Sequence, residues 1–325
     1  MADKELNTKK YQNKTNILKN QNFLLFLTLI VIMVAVGFAQ PRFRTLRNFI
    51  NLFQTVSITG IMALGMSMVI TTGNIDLSVG TMVSFIACFT AFLIRNGFLN
   101  DVTALPFGIG LGFACGVVNG LLVSRTKAES FIITLATMMM FQGMAMLSAD
   151  GNVVTIGRTL NWFGSYRVGP FPLQIIIFLS LAVVVFLVMK YTKYGRRVYA
   201  VGGNSEAAFL AGINVRHYKF MVYVINGIIC SISAMIVLSR LSAANPNMAV
   251  GYEMESITAC VAGGVSLMGG RGNTLGCFMG IMLMGVIANS LNLLMVPIFY
   301  HRIIIGVVLL AAVILRTGRS VAQAS

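Results

Sequence analysis

Uncharged apolar runs of about twenty residues recur along almost the whole chain, and nothing else constrains the fold as tightly. A run of that length spans the ~30 Å hydrocarbon core as a helix. Lipid offers no water to exposed backbone groups, so only helices and closed barrels cross it. A barrel would show alternating segments of about ten residues, and the sequence has none. Spans are expected near 23–39, 54–72, 77–94, 104–123, 130–148, 170–189, 220–238, 256–268, 275–296 and 299–315. Only 10% of the 325 residues are charged, against about 25% in soluble domains. The expectation is an all-α integral membrane protein of about ten transmembrane helices. It divides into a cytoplasmic tail (1–22), a transmembrane domain (23–315) and a second cytoplasmic tail (316–325). The first run reads as an ordinary span. It follows 22 mostly polar residues, is long for a secretory leader, and ends in Phe38-Ala39-Gln40-Pro41, a poor cleavage site.

The formal net charge of +15 raises the question of a nucleic-acid partner. The placement of the charges answers it. With the N-terminus inside, 16 of the 24 Lys and Arg fall on one side: five before residue 20, Arg125, Lys127, six in 190–219, Arg271, Arg316 and Arg319. The other eight are Arg42, Arg44, Arg47, Arg95, Arg158, Arg167, Arg240 and Arg302. This bias sets an N-in, C-in orientation, with Arg42–Arg47 a local exception. The charge is a topology signal, and its partner is lipid headgroups, not nucleic acid.

Five cysteines, Cys88, Cys115, Cys230, Cys260 and Cys277, all lie in expected spans without C-x-x-C spacing. They read as packing residues, not as a metal or disulfide framework. His217 and His301 have no Cys, Asp or Glu at ligand spacing. The sequence contains no G-x-x-x-x-G-K-[ST], no G-x-S-x-G and no H-E-x-x-H, so phosphate-loop, serine-hydrolase and zincin chemistry are not expected.

Glycines mark where helices meet. Gly108, Gly112, Gly116 and Gly120 recur at four-residue spacing, and Gly276, Gly280 and Gly285 dot the ninth span. Small residues at this period admit close helix approach. Asp76, in Gly73-Asn74-Ile75-Asp76-Leu77-Ser78, is an ionisable group where charge is costly. Its Gly, Asn and Ser neighbours predict a helix break, with Asp76 as N-cap of the next helix or as a contact of a solute path. A second interruption falls at Gly263-Gly264 and Gly269-Gly270. Short, Gly-interrupted segments mark broken helices around a translocation path. The stretch Ser242–Glu253 parallels Gly73–Gly80, and on this topology the two would relate the halves as an inverted repeat.

The loop 190–219 is long, basic and carries a small-residue stretch, Gly202-Gly203-Asn204-Ser205-Glu206-Ala207-Ala208, before Gly212. It is expected to hold a short amphipathic helix at the membrane surface, available to a partner.

Several blocks together resemble the permease subunits of ribose-type ABC sugar importers. They are VSITGIMALGMSMVI at 56–70, GNIDLSVG at 73–80, FIITLATM at 131–138, GRRVYAVGGN at 195–204 with GINV at 212–215, and GGVSLMGGRG at 263–272. The resemblance covers about residues 45–315. It implies a permease in the bacterial inner membrane, half of a dimeric pore, that translocates a monosaccharide. The implied partners are a second permease copy or paralogue, a cytoplasmic ATP-binding subunit, and a periplasmic or lipid-anchored sugar-binding protein. Mg-ATP would be bound by the ATPase, with no cofactor in this chain. Gly203, Asn204, Ser205, Glu206, Ala207, Ala208, Leu210 and Gly212 would form the ATPase-coupling loop. Asn74, Asp76, Ser78, Gly263, Gly264, Gly269 and Gly270 would border the path. Two departures stand out: Asn74 where the family often has Gly, and Glu206-Ala207-Ala208 one position later than in several relatives. Read from the residues alone, a gradient-driven secondary transporter with Asp76 as ion site, or a non-transporting membrane subunit, stays open.

Overall fold

The computed structural model describes residues 21–297, 299–301, 303–308 and 310. The tail before residue 21, the end of the last expected span and the C-terminal tail lie outside them. The helices are α1 (Gln21–Ala39), α2 (Leu46–Thr71), α3 (Val79–Arg95), α4 (Ala104–Arg125), α5 (Ser130–Ala149), α6 (Asn161–Ser165), α7 (Leu173–Tyr191), α8 (Lys193–Gly203), α9 (Ser205–Leu210), α10 (Val215–Leu241), α11 (Tyr252–Ala262) and α12 (Thr274–Leu293). A last apolar helix covers Phe299–Val308. Among the described residues, six helices are long and apolar enough to cross a membrane: α2, α4, α5, α7, α10 and α12. Three shorter apolar helices, Leu25–Ala39, Val79–Arg95 and Phe299–Val308, accompany them.

The protein is therefore the all-α membrane bundle expected, with a correction at the short, Gly-interrupted segment among the roughly ten expected spans. The segment 256–268 is not a span. Its helix, α11, has 11 residues, about 16 Å at 1.5 Å per residue, and the chain leaves it at Gly263, with Gly264 at φ +89°. Two neighbours run longer than expected: α2 begins at Leu46 and α10 covers Val215–Leu241.

Two helices form the axis. The most apolar stretches of α2 and α10 are 78% buried, whereas those of α5 and α7 are 22% and 28% buried. The first pair is enclosed by protein, and the second pair lies mostly on the outside of the bundle. The glycine stripe of α4 lies against α10. A Cβ at Gly116 would stand 2.7 Å from the Tyr223 carbonyl oxygen, and one at Gly120 2.8 Å from that of Phe220. Those at Gly108 and Gly112 would overlap Met235 and Ser231. Backbones this close gain dispersion over their whole length, the main attraction available between helices in lipid. A polar pair adds to the α2–α12 contact: Asn48 and Asn289 exchange side-chain amide hydrogen bonds of 3.0 and 3.1 Å.

The outward-charged exception near residue 44 is resolved locally. A 3-10 turn, Pro41–Arg44, joins α1 to α2. The Arg44 Nε donates to the Gly37 carbonyl at 2.6 Å, and its guanidinium lies 5.0 Å from the Phe38 ring centre. At the same end, β1 (Val154–Thr155) pairs antiparallel with β4 (Ala243–Ala244), and β2 (Arg167–Val168) with β3 (Phe171–Pro172). All five cysteines are buried and free, in keeping with their reading as packing residues.

Replacing Gly116 by Leu is expected to destabilise the bundle by about 1–3 kcal/mol, the usual range for overpacking. Gly110→Ala, whose Cβ would meet nothing within 4 Å, is expected to be near neutral. Thermal unfolding of the two variants in one detergent compares them directly.

Candidate functional site: a broken helix joined to a coupling surface

The chain between α2 and α3 leaves helical geometry at Thr72–Ser78 while enclosed by protein. Its backbone groups then need partners from elsewhere, and side chains of α5 and α10, with Asp76 of the break itself, supply them. Ser130 Oγ accepts from the Ile75 N–H at 3.0 Å, and Thr134 Oγ1 from the Leu77 N–H at 3.1 Å. The Tyr223 hydroxyl donates to the Ile75 carbonyl at 3.1 Å. Asp76, fully buried, accepts through Oδ1 from the Ser78 N–H at 3.0 Å and the Ser78 hydroxyl at 2.6 Å. Through Oδ2 it accepts from the Asn226 amide of α10 at 3.0 Å. Asn119 of α4 donates to Ser78 Oγ at 2.7 Å. Helix α3 starts at Val79, so Ser78 holds the N-cap position without a cap bond of its own, and Asp76 satisfies the orphan N–H two residues ahead. Asn74 is tied back to Thr72, its amide donating to the carbonyl at 3.1 Å and to Oγ1 at 2.8 Å.

The loop 190–219 folds into two helices, not one. Thr192 accepts from the Gly195 N–H at 3.2 Å to start α8, and Asn204 from the Ala207 N–H at 2.9 Å to start α9. Asn214 accepts from the His217 N–H at 3.1 Å to start α10. Side-chain oxygens at these positions meet the unpaired N–H groups of a first helical turn. The Asn204 cap fixes the register of α9 at Ser205–Leu210, and Gly212 follows it at φ +77°, a conformation that suits glycine. On α8, Val198 and Val201 face inward, and Arg197 donates to the Tyr218 hydroxyl at 2.7 Å. On α9, Ala208 is buried, whereas Phe209 and Leu210 are 70% and 85% exposed. Gly203, Asn204, Ser205, Glu206 and Ala207 are exposed beside them.

Glycines join the two regions. Gly202 lies directly on the Thr71 carbonyl, where a Cβ would overlap the oxygen, and the Gly270 N–H donates to that same oxygen at 2.9 Å. A Cβ at Gly269 would stand 2.6 Å from the Gly73 nitrogen and 2.7 Å from the Gly202 oxygen. A Cβ at Gly270 would come within 2.7 Å of the Gly203 nitrogen. The Tyr199 hydroxyl donates to the Gly272 carbonyl at 2.9 Å. Burial, with the neighbouring Cys277 adding to it, holds that phenol above its ordinary range, so it remains a donor at neutral pH. Of the expected path residues, Gly269 and Gly270 thus pack on the end of α8 and on Thr71. Asn74, Asp76 and Ser78 belong to the buried polar knot, and Gly263 packs on Gly276 and Cys277 of α12, with Gly264 turning the chain after it. Sequence reasoning passed over Phe209 and Met268, the latter 89% exposed next to Gly269. Their signal was an apolar side chain in an otherwise polar loop.

An apolar helical bundle with an internal helix break and a capped, outward-facing loop defines a membrane permease. Residues 48–313 match the model of the branched-chain amino acid transport system permease components, and the chain belongs to that family. It is 38% identical over 298 residues to the ribose import permease protein RbsC of Bacillus subtilis, covering 91% of this chain and 92% of that one. It is 35% identical over 319 residues to RbsC of Escherichia coli K12, at 97% and 98% coverage. An L-arabinose ABC transporter permease protein, AraH of Azospirillum brasilense, is 35% identical over 294 residues, at 89% and 86% coverage. The chain is thus a multi-pass permease of the inner membrane and an importer component, which displaces the gradient-driven alternative.

Asp76→Ala strips the Ser78 N–H and the Asn226 amide of their acceptor, which is expected to cost about 1–3 kcal/mol, the penalty for stranding buried polar groups. Asp76→Asn keeps one acceptor oxygen and is expected to lose less. The order of the two melting temperatures in detergent checks this.

Proposed function

We propose that this chain translocates a monosaccharide as the permease of an ATP-driven importer, with α9 as the element that an ATP-binding subunit grips. The carrying observation is the exposed apolar pair Phe209 and Leu210 on a capped helix. This helix follows α8, which touches the end of α2 and the 269–272 loop through bare backbone. Two exposed apolar side chains on such a helix suit insertion into a partner's cleft. Met268 extends the same surface, and Glu206 and Ser205 give it a polar rim. Asn204 holds the helix in register, and Gly203 and Gly212 let the chain enter and leave it.

Force applied at α9 passes to α8 and from there to the Thr71 carbonyl and to Gly269–Gly270. No long side chain lies between these backbones to absorb the displacement. Of the receiving helices, α11 and α12 meet at glycines 263 and 280, and α2 and α12 at glycines 60 and 285, a surface along which packed helices can slide. Asp76 and Ser78 keep the break at 72–78 rigid during that movement. Hydrolysis of Mg-ATP takes place in the partner, and a sugar-binding protein delivers the solute from the other side. A second permease copy or a paralogue completes the pore. The sugar class is supported by the relatives named for ribose and L-arabinose, which align over most of the chain although the family description speaks of amino acids.

Leu210→Glu is expected to leave membrane insertion intact, abolish co-purification of the ATP-binding subunit and reduce uptake at least about tenfold, the loss of one buried anchor of ~1.4 kcal/mol or more. Gly212→Phe is expected to do the same. Nothing lies within 4 Å of its Cβ position, so its folding cost is limited to about 1–2 kcal/mol of backbone strain. Normal ATP-dependent uptake by both variants would remove α9 from the coupling role.

A further inference from the structure

At the end of the bundle opposite α9, a cavity of about 820 Å³ opens between α2, α10, α11, α12 and the last apolar helix. We infer that this cavity is a solute site of the permease, shaped for a neutral polyhydroxylated molecule the size of a monosaccharide. The inference rests on the importer reading and deepens it by assigning residues to the solute.

Its volume falls in the range of small-molecule sites, roughly 300–1,000 Å³. The walls are mostly apolar, with Met248, Ile281 and Met284 among them. Polar side chains interrupt that lining, among them Thr55 and Thr59 one turn apart on α2, Arg240 at the end of α10, Tyr252 and Glu255 on α11, and Asn292 on α12. Glu255 and Arg240 both act electrostatically on Tyr252, which places an acid, a base and an aromatic ring in one neighbourhood. The other carboxylate at the rim, Glu253, accepts from the Gly251 N–H at 3.1 Å and packs on Gly80.

This set points to a class of ligand. Arg240 is set against two carboxylates, Glu255 and the Gly251-bound Glu253, so an anionic solute is disfavoured. Hydroxyl groups both donate and accept, and the carboxylate, the guanidinium, the Asn292 amide and the two threonines can match them in either sense. The Tyr252 ring and the methionines suit the C–H faces of a pyranose or furanose.

The cavity is closed toward α9. Its floor includes Ala259, and the Ala259 carbonyl lies directly against Gly280. Beneath the floor, the Cys260 thiol donates to the Ala63 carbonyl at 3.3 Å, and a Cβ at Gly263 would stand 2.7 Å from the Cys277 Cα. From Thr59 to Thr71, α2 runs about 18 Å to the junction with Gly202. A solute in the cavity is therefore separated from the coupling surface by tight backbone contacts of α2, α11 and α12, and would pass only when those helices part.

The test uses Thr59→Cys in the full importer, with its ATP-binding subunit and binding protein, in proteoliposomes. The native cysteines are buried, so a membrane-impermeant methanethiosulfonate added from the binding-protein side reads the introduced thiol. Radiolabelled ribose and L-arabinose are the transport probes, and ATP hydrolysis is followed in parallel. The expected result is reduced but measurable uptake before labelling, rapid labelling, and loss of that remaining uptake afterwards with ATP hydrolysis retained. Glu255→Gln is expected to lower uptake about tenfold or more, the effect of losing one hydrogen bond to a charged group. If labelled Thr59→Cys and Glu255→Gln both transport at the wild-type rate, or if the thiol at position 59 stays unlabelled, the cavity is not on the path while the importer reading stands. If the unmodified importer shows no ATP-dependent uptake of either sugar, the importer reading fails and the solute site falls with it.

Discussion

A helix that breaks inside a membrane protein must find partners for the backbone groups it releases, and the rest of this structure is arranged around one such break. Between Thr72 and Ser78, partners come from Ser130 and Thr134 on α5, Tyr223 and Asn226 on α10, and Asp76 within the break. Helices α5 and α10 are thereby held to one short segment. The carboxylate is the hub, since one oxygen serves the break and the other reaches the central helix α10. Burial of this carboxyl group is offset by three close donors.

The break also explains why the glycines cluster as they do. Once the chain turns at Gly73, the loop 269–272 and the end of α8 can approach it only where no Cβ intervenes. Gly202, Gly269 and Gly270 supply that approach. The α4–α10 stripe answers a different need, since it packs two continuous helices. The same residue type therefore does two jobs, and its spacing tells them apart: every fourth residue on α4, doublets beside α8 and after α11.

Much of this was legible in the sequence. The long helices follow from uninterrupted apolar runs, the break at Asp76 from a charge flanked by small polar residues, and the surface helix from Asn204 and its neighbours. Other features were hidden for physical reasons. The start of α2 carries Arg47, Asn48 and Asn51, which mask it as a loop, yet Asn48 is satisfied by Asn289 across 241 residues. The run 256–268 has the composition of a span, but protein on all sides tolerates a turn at Gly263–Gly264 that lipid would not. Strands of two residues leave no periodic trace. The outward cavity leaves no sequence signature because its polar residues come from five helices far apart in the chain, each unremarkable in its own segment.

The junction of α8 with Thr71, Gly269 and Gly270 is made of main chain and carries no side-chain identity. The face of α9, in contrast, is defined by its side chains. If α9 is the element a motor subunit grips, partner choice and force transfer are encoded in separate parts of the sequence. Substitutions at Phe209, Leu210 or Met268 would then retune which motor the permease accepts while leaving the lever behind it untouched. On that reading a lineage could exchange its energy source, or share one among several permeases, without redesigning the gate.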